Sequence, residues 1–312
     1  MADKVERSSA LRLKRMLFTV VTTLLLAPTL LGQCTGKLDQ RSSKTSGVFI
    51  ADMKIAGTRT LGSNQLNSLA SKLVGLCFDD DPEQLKERVR SLFQDRGYFK
   101  VEIRDLRIKT VDPLAAPRSV NLEADVAEGP RFTIGEIDFT GNRAYKSSQL
   151  RALFPVKKGE VFERSRIGTG LEALRRAYGS LGYIDYNSIP DSEEVSDKTL
   201  NFSIQVNEGP QYRMGKLAIF ANKELEEKLR AQWDLTEGAV FDENYVEKYF
   251  DSNRKLFPSG FQMDHIQRVR NCRESTVEIR MPLDSTDPRS QVSEPETGCE
   301  SPADAGAGNP NE

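Results

Sequence analysis

Apolar and polar residues alternate in this 312-residue chain in a pattern that recurs after about eighty residues. An alternating stretch ends in Glu-Gly-Pro and is followed by a second alternating stretch, first at residues 122–137 and again at 202–217. Alternation predicts strands with one buried and one exposed face, and a fixed period of this length indicates tandem copies of a small module. Because proline cannot donate to a sheet and glycine tolerates unusual dihedrals, we expect Glu-Gly-Pro to join successive modules. The predicted joint residues are Glu128, Gly129, Pro130, Glu208, Gly209 and Pro210.

A Gly-aromatic step recurs in the same register. It follows an apolar pair whose phenylalanine precedes the glycine by 19, 20 and 19 residues in the three copies. Apolar residues at three- and four-residue spacing before the step predict an amphipathic helix, most clearly at residues 167–181. A glycine just past a helix end closes the last turn in a left-handed conformation. We therefore expect helix-end glycines with positive φ at Gly97, Gly182 and Gly260.

A shorter helical pattern comes before the longer one, and two strands follow the Gly-aromatic step. Ser63 and Ser147 are predicted N-caps of the shorter helix, and Asp81 and Asp242 of the longer one. Each unit is therefore strand, helix, helix, strand, strand over roughly 75 residues, a size at which modules depend on their neighbours.

The element order, the terminal Glu-Gly-Pro, the glycine before Val-Phe and the helix ending in Gly-Tyr resemble polypeptide-transport-associated (POTRA) repeats. Such repeats form the periplasmic arm of outer-membrane protein assembly factors of the surface antigen/D15 type and of two-partner secretion pores. The resemblance covers residues 47–283. It implies an α+β fold of three tandem β-α-α-β-β modules at 47–130, 131–210 and 211–283, each a three-stranded mixed sheet covered by two helices.

Two copies depart from the pattern, and the chain continues differently from the assembly factors. The first copy has a hairpin insert at residues 113–117, and the third lacks both the glycine after its first strand and the closing Glu-Gly-Pro. The assembly factors continue into a membrane barrel, whereas residues 284–312 are rich in Ser, Pro, Glu, Asp and Gly and predict a disordered tail. The resemblance is thus to the arm without the barrel.

The N-terminus predicts export. A basic lead precedes an apolar run at residues 16–31, which is short for a membrane span and typical of a signal peptide within residues 1–33. Two alternatives stay open, namely an uncleaved inner-membrane anchor and a lipoprotein signal with Cys34 as the lipidated residue.

Candidate chemistry adds little. The one histidine, His265, falls on a predicted strand without a partner, so a surface role is expected and no metal or cofactor site is predicted. Cys77 aligns with valines in the other copies and is expected to be a buried thiol, while a bridge between Cys272 and Cys299 is sterically open. No phosphate loop, nucleophile elbow or Cys-x-x-Cys pair occurs, and a net charge of −2 argues against nucleic acid. We expect no enzyme.

Three function hypotheses follow. The leading one is a periplasmic scaffold that captures extended polypeptides by sheet-edge addition, alone or beside an outer-membrane barrel protein. The others are a structural envelope protein anchored through residues 16–31 and a hydrolase without a recognisable motif. The resemblance places the strand after the Gly-aromatic step at a sheet edge, and its longest copy supplies the candidate partner-binding residues. They are Phe99, Lys100, Val101, Glu102, Ile103 and Arg104.

Overall fold

The computed structural model describes residues 47–114, 118–196, 198–284 and 286–287. The segment at 1–33 with its apolar run, Cys34, Cys299 and nearly all of the predicted tail lie outside the described residues. Within them the chain forms three mixed sheets, each with its own helices and its own hydrophobic core. This arrangement confirms the predicted α+β fold of tandem modules.

The first module has a four-stranded sheet in the order β2-β1-β4-β3, with β1 parallel and β3 antiparallel to β4. The short strand β2 is a fourth strand that the sequence does not predict, and it pairs with the beginning of β1. The elements are β1 (Gly47–Ala56), α1 (Ser63–Ala70), β2 (Cys77–Asp79), α2 (Pro82–Gln94), β3 (Glu102–Asp112) and β4 (Arg118–Ala127).

The second and third modules each have three strands in the same arrangement, with orders β5-β7-β6 and β8-β10-β9. The second consists of β5 (Thr133–Thr140), α3 (Ser147–Arg151), α4 (Arg164–Ser180), β6 (Asn187–Ser196) and β7 (Thr199–Asn207). The third consists of β8 (Arg213–Phe220), α5 (Lys223–Arg230), α6 (Glu243–Ser252), 3-10 turns at Arg254–Leu256 and Met263–His265, β9 (Gln267–Asn271) and β10 (Thr276–Pro282).

The central strand of each sheet carries the alternation that the sequence shows. In β7 the buried positions are Leu200, Phe202, Ile204 and Val206, every second residue, and the residues between them are at least partly exposed. The helices cover the face on which these side chains lie. One buried and one wet face per sheet is the pattern expected of a two-layer module.

The strands after the Gly-aromatic steps begin later than the sequence predicts. Tyr98 and Tyr183 start turns, closed by hydrogen bonds from Val101 N to Tyr98 O (3.2 Å) and from Tyr186 N to Tyr183 O (3.1 Å). Tyr98 is 8 % exposed and packs into the first core. The aromatic residue after the glycine therefore belongs to the core, and only afterwards does the chain enter the sheet.

The N-caps agree with prediction on the long helices and not on the short ones. Asp81 and Asp242 each accept a hydrogen bond from the amide two residues later, at 2.9 Å. Ser63 and Ser147 are the first helical residues instead of the caps. The amide of the true cap, such as Gly62, is bound there by the glutamine side chain three residues later (3.0 Å).

Candidate functional site

Glu128 of the first Glu-Gly-Pro points back into its own module. The residue is 3 % exposed, and its Oε1 accepts hydrogen bonds from the amides of Arg59 (2.6 Å) and Thr60 (2.7 Å) and from the Thr60 hydroxyl (3.0 Å). Burial alone raises the pKa of this carboxyl, but the hydrogen bonds from its own amide, Thr60 and Arg59 outweigh burial and lower the pKa overall. Glu128 therefore clamps the loop after β1 onto the end of β4.

Glu208 makes the same clamp in the second module. Its Oε1 accepts hydrogen bonds from the amides of Arg143 (2.6 Å) and Ala144 (2.8 Å) and from the Tyr178 hydroxyl (3.1 Å). Burial, together with the hydrogen bond to Glu208, raises the pKa of Tyr178 far above its ordinary value. The clamp thus also fixes α4, which carries Tyr178, to the end of β7.

The clamped loop starts at a glycine that the backbone requires. Gly141 has φ +80°, and a Cβ there would lie 2.2 Å from the carbonyl oxygen of Val206; Gly57 has φ +89° at the matching position. The third module lacks both glycine and glutamate, since Ala221 follows β8 and Asn222 caps α5 at once. Glycine and glutamate therefore act as one device. Their joint absence from the third copy is the sequence signal that links the glycine to the glutamate.

Gly-Pro turns the chain into the next module. Gly129 and Gly209 have φ +69° and +67°, and both prolines are exposed. Pro130 lies between β4 and β5, and Pro210 between β7 and β8.

The helix-end glycines of the first two modules accept hydrogen bonds from the module that follows. The carbonyl oxygen of Gly97 accepts the Phe132 amide (2.7 Å), and that of Gly182 accepts the Tyr212 amide (2.8 Å). Both aromatic side chains are fully buried. Gly97 and Gly182 have φ +93° and +80°, and a Cβ on Gly182 would lie 2.4 Å from the Tyr212 carbonyl oxygen. These glycines therefore serve the joint as well as the helix end.

Gly260 does not have the predicted role. Its φ is +88°, but α6 already ends at Ser252 and a separate 3-10 turn follows. Pro258 has no amide hydrogen and disfavours helical dihedrals at Phe257, whose ψ is 142°, so the helix cannot continue to Gly260. Among the described residues, no atom lies within 4 Å of the position that a Cβ on Gly260 would take. The prediction that this glycine closes a helix is wrong.

Polar contacts also hold the joints. Between the first two modules, Asp95 accepts the Ser165 amide at 2.7 Å. Between the second and third, Asp185 accepts the Tyr212 hydroxyl at 2.7 Å and pairs with Arg270 at 2.5 Å. Each module is therefore fixed to the next by side-chain contacts as well as by chain connectivity.

Strand β3 lies at the edge of the first sheet. It pairs with β4 on one side, and within the described residues no strand pairs with its other side. Glu102, Ile103 and Arg104 of the predicted partner-binding set lie at its beginning, whereas Val101 precedes it and is 4 % exposed in the first core. The unpaired edge thus begins further along the chain than the sequence predicts.

Phe99 and Lys100 belong to the joint and not to the edge. The Phe99 ring makes edge-to-face contacts with Phe132 (centroids 5.9 Å apart) and Phe162 (5.2 Å) of the second module. The Lys100 ammonium pairs with Glu194 at 2.5 Å. Their assignment to a free edge is wrong, because both lie in the turn after Gly97, before β3 starts, and their side chains contact the second module.

The strands that follow the Gly-aromatic steps, β3, β6 and β9, each lie at one edge of their sheet, and they differ in what they offer to another strand. β3 has 11 residues and no proline, β6 has 10 residues including Pro190, and β9 has only 5. Proline within an edge strand turns its missing donor outward. Pro190 pairs with Ile204, which lies four residues before Glu208, and Leu106 pairs with Ala124, which lies four residues before Glu128. Leu106 is therefore the β3 counterpart of Pro190.

Charged side chains cover the exposed face of the first hairpin. Arg107 pairs with Asp105 at 2.8 Å, and Lys109 pairs with Glu123 at 2.8 Å. The hydrogen bond from Lys109 lowers the pKa of Glu123. Exposed pairs of this kind add little stability, but charges on an edge strand oppose indiscriminate pairing.

One of the cysteines differs from expectation. Cys77, expected to be a buried thiol, lies on the short strand β2, where it is half-buried and disulfide-bonded. Cys272, in the turn after β9, is also disulfide-bonded, and its Sγ lies 3.1 Å from the Tyr212 hydroxyl. The pairing of Cys272 with Cys299 stays a prediction.

His265 is exposed, as expected, but lies in a 3-10 turn and not on a strand. Its Nδ1 accepts the Gln262 amide at 3.2 Å. In the described part of the chain, no group of three or more His, Cys, Asp or Glu residues could hold a metal ion.

No helix within the described ranges has the length and apolar character needed to cross a membrane.

Comparison with known proteins identifies the module. The sequence model of the POTRA family, described as a surface antigen variable number repeat, matches residues 132–209. The crystal structure of Haemophilus influenzae BamA POTRA3-5 superposes with a TM-score of 0.56 at 20 % identity, covering 75 % of this chain and 95 % of that one. The described residues therefore have the fold of tandem POTRA modules.

Two curated relatives are outer-membrane assembly factors. A putative outer membrane protein assembly factor of Treponema pallidum (strain Nichols) is 29 % identical over 189 residues, 59 % of this chain and 22 % of that protein. The outer membrane protein assembly factor BamA of Neisseria meningitidis serogroup B is 26 % identical over 168 residues, 52 % of this chain and 20 % of the relative. The match spans about a fifth of the length of either relative.

Proposed function

Because this chain is built of tandem POTRA modules, we propose that it is a non-enzymatic periplasmic scaffold that captures extended polypeptides during outer-membrane protein assembly. The two relatives named as assembly factors support the process. The disulfide-bonded Cys77 and Cys272 support an oxidising compartment such as the periplasm. Association with the outer membrane through a barrel partner is part of the proposal.

The observation that carries the mechanism is the open edge of β3. An extended polypeptide can add to such an edge by main-chain hydrogen bonds, with little dependence on sequence. That tolerance suits unfolded outer-membrane strands, whose residues alternate between apolar and polar. Of the edge strands β3, β6 and β9, β3 is the longest, and it lacks the proline that removes a donor from β6.

A proline exchange between equivalent positions tests the mechanism. Leu106→Pro should remove one outward donor from β3 while leaving the fold intact, since Pro190 occupies the counterpart position in β6. We expect binding of a proline-free synthetic peptide with alternating valine and threonine residues to weaken by about tenfold or more. Fluorescence anisotropy on the full chain measures the affinity, and circular dichroism measures the melting temperature.

Pro190→Leu is the matched control, because it replaces proline by leucine at the equivalent position of β6, the edge strand of the second sheet. This variant should bind the peptide at least as well as the parent. If Leu106→Pro stays folded and keeps the parent's affinity, capture does not involve β3.

A further inference from the structure

A cleft of about 760 Å³ lies where the first two modules meet. Its walls are the C-terminal half of α2, the N-terminal half of α4 and residues 190–192 of β6. Clefts of this size hold small molecules or single side chains of a partner. The cleft is separate from the open edge of β3.

The floor of the cleft is apolar and mainly aromatic. The Phe162 ring lies between Phe99, which it meets edge to face at 5.2 Å, and Phe202, on which it stacks at 6.0 Å. Leu171 of α4 is partly buried beside them. An aromatic or aliphatic side chain would find contact there with several surfaces at once.

Gly168 of α4 lines this cleft, and no packing contact within the described residues requires a glycine there. A Cβ on Gly170 would lie 2.2 Å from the Phe154 ring, so that position needs glycine for packing. A Cβ on Gly168, which lines the cleft, would have no described atom within 4 Å. Glycine in a helix interior is less favourable than alanine, so Gly168 keeps this space open at a cost in helix stability.

The rim of the cleft has two carboxylates without a cation. Asp95 and Asp191 line it, and in the described ranges neither makes an ion pair; each only accepts a backbone amide (2.7 and 2.8 Å). The other charged residues at the rim are Glu87, Arg88 and Arg164, so three carboxylates face two guanidinium groups and the formal charge of the rim is −1. Glu87 pairs with Arg164, and the Arg88 guanidinium lies over the Phe78 ring at 5.5 Å. The rim therefore suits a cationic group.

We propose that this cleft binds an aromatic or large aliphatic side chain of a partner polypeptide that has a lysine or arginine next to it. The apolar group fills the space that Gly168 leaves above Phe162. The cation lies between Asp95 and Asp191. Binding here needs no strand addition, so it is independent of capture by β3.

Amide NMR of the ¹⁵N-labelled full chain tests this site with N-acetyl-phenylalanyl-lysine amide, which is too short to pair along an edge. Saturable shifts should centre on Gly168 and Ser192, with a dissociation constant of about millimolar order for so small a ligand. Gly168→Leu fills the space and should weaken binding by about tenfold or more. The same variant should keep or raise the melting temperature, since leucine is a better helix former than glycine.

Thr169→Leu is the matched control, because it adds the same side chain on the neighbouring, exposed position outside the cleft and should retain binding. Asp191→Asn removes one rim charge and should weaken binding by about two- to fivefold. N-acetyl-phenylalanyl-glutamate amide should bind less well than the lysine peptide. No saturable shift, shifts centred elsewhere, or equal affinity of Gly168→Leu and the parent would each overturn the proposal.

Discussion

The first two modules and the third share one fold but differ wherever a further module is attached. The carbonyl oxygens of Gly97 and Gly182 accept a hydrogen bond from the residue just before the first strand of the next module. Glu128 and Glu208 hold the loop after the first strand of the module in which they lie. The third module has a positive-φ glycine at 260, yet no part of the described chain packs at the position a Cβ would take. It also lacks the clamp.

This difference separates residues that specify the module from residues that specify its connection. The Gly-aromatic step and the alternating central strand occur in all three copies, and they form the core. Within the described residues, the glutamate clamp and the helix-end contact occur in the two modules that precede another described module. Equivalent residues in a repeat can therefore have different physical roles, and substitutions at equivalent positions should have unequal effects.

Gly182→Val should cause the largest loss of stability among the substitutions that test this difference. A Cβ there meets the Tyr212 carbonyl oxygen at 2.4 Å, and valine at φ +80° is strained. We expect a loss of about 3 kcal/mol in the free energy of unfolding, from strain and forced displacement of the joint. Urea denaturation followed by circular dichroism measures it.

Gly260→Val is the matched control for this substitution. It has the same backbone strain at φ +88° but an open site, so it should cost about 1 kcal/mol. Equal losses for the two variants would show that the Tyr212 contact adds nothing.

Glu128→Ala should have the next largest effect. It removes the acceptor of three hydrogen bonds and leaves the amides of Arg59 and Thr60 partly buried without a partner. We expect a loss of about 2 kcal/mol in the free energy of unfolding, and Glu123→Ala on the exposed face of β4 should cost far less. If both variants melt with the parent, the clamp is not a stabilising element.

The clamp also predicts that the free energy of unfolding depends on pH, an effect smaller than those of the substitutions above. Since folding lowers the pKa of Glu128 from its ordinary value of 4.5, its contribution is complete above that value and disappears as pH falls through the folded pKa. Glu128→Gln should therefore be less stable than the parent at about pH 6, and the difference should shrink as the pH falls below 4.5 toward the folded pKa. A difference that stays constant across this range contradicts a clamp by the ionised carboxylate.

Much of the fold was predictable because the repeat supplied each pattern more than once. The alternation in β4 and β7 and the N-caps Asp81 and Asp242 depend on neighbouring residues alone, and the structure agrees with them. The start of β3 was not predictable in this way. Phe99 and Val101 alternate as strand residues do, but a tertiary contact with the next module directs Phe99 away from the sheet.

The candidate site was less predictable for the same reason. The role of Glu128 depends on amides 68 and 69 residues earlier in the chain, and no local pattern reveals that pairing. The cleft depends on helices of two modules meeting, and Gly168 appears in the sequence only as a weak helix residue. The equivalence of Leu106 and Pro190 depends on the strand registers, which no local sequence pattern contains.

Methylation of a single backbone amide in β3 tests edge capture most directly, because it changes a hydrogen-bond donor and leaves every side chain in place. In a semisynthetic protein, N-methylation of Leu106, the counterpart of Pro190, blocks the open edge, whereas N-methylation of Arg107 blocks the amide that points toward β4. The account predicts that N-methyl-Leu106 protein keeps its melting temperature and binds the alternating valine–threonine peptide about tenfold or more weakly than the parent, while the Arg107 form loses stability. A stable N-methyl-Leu106 protein with the parent's affinity would contradict it.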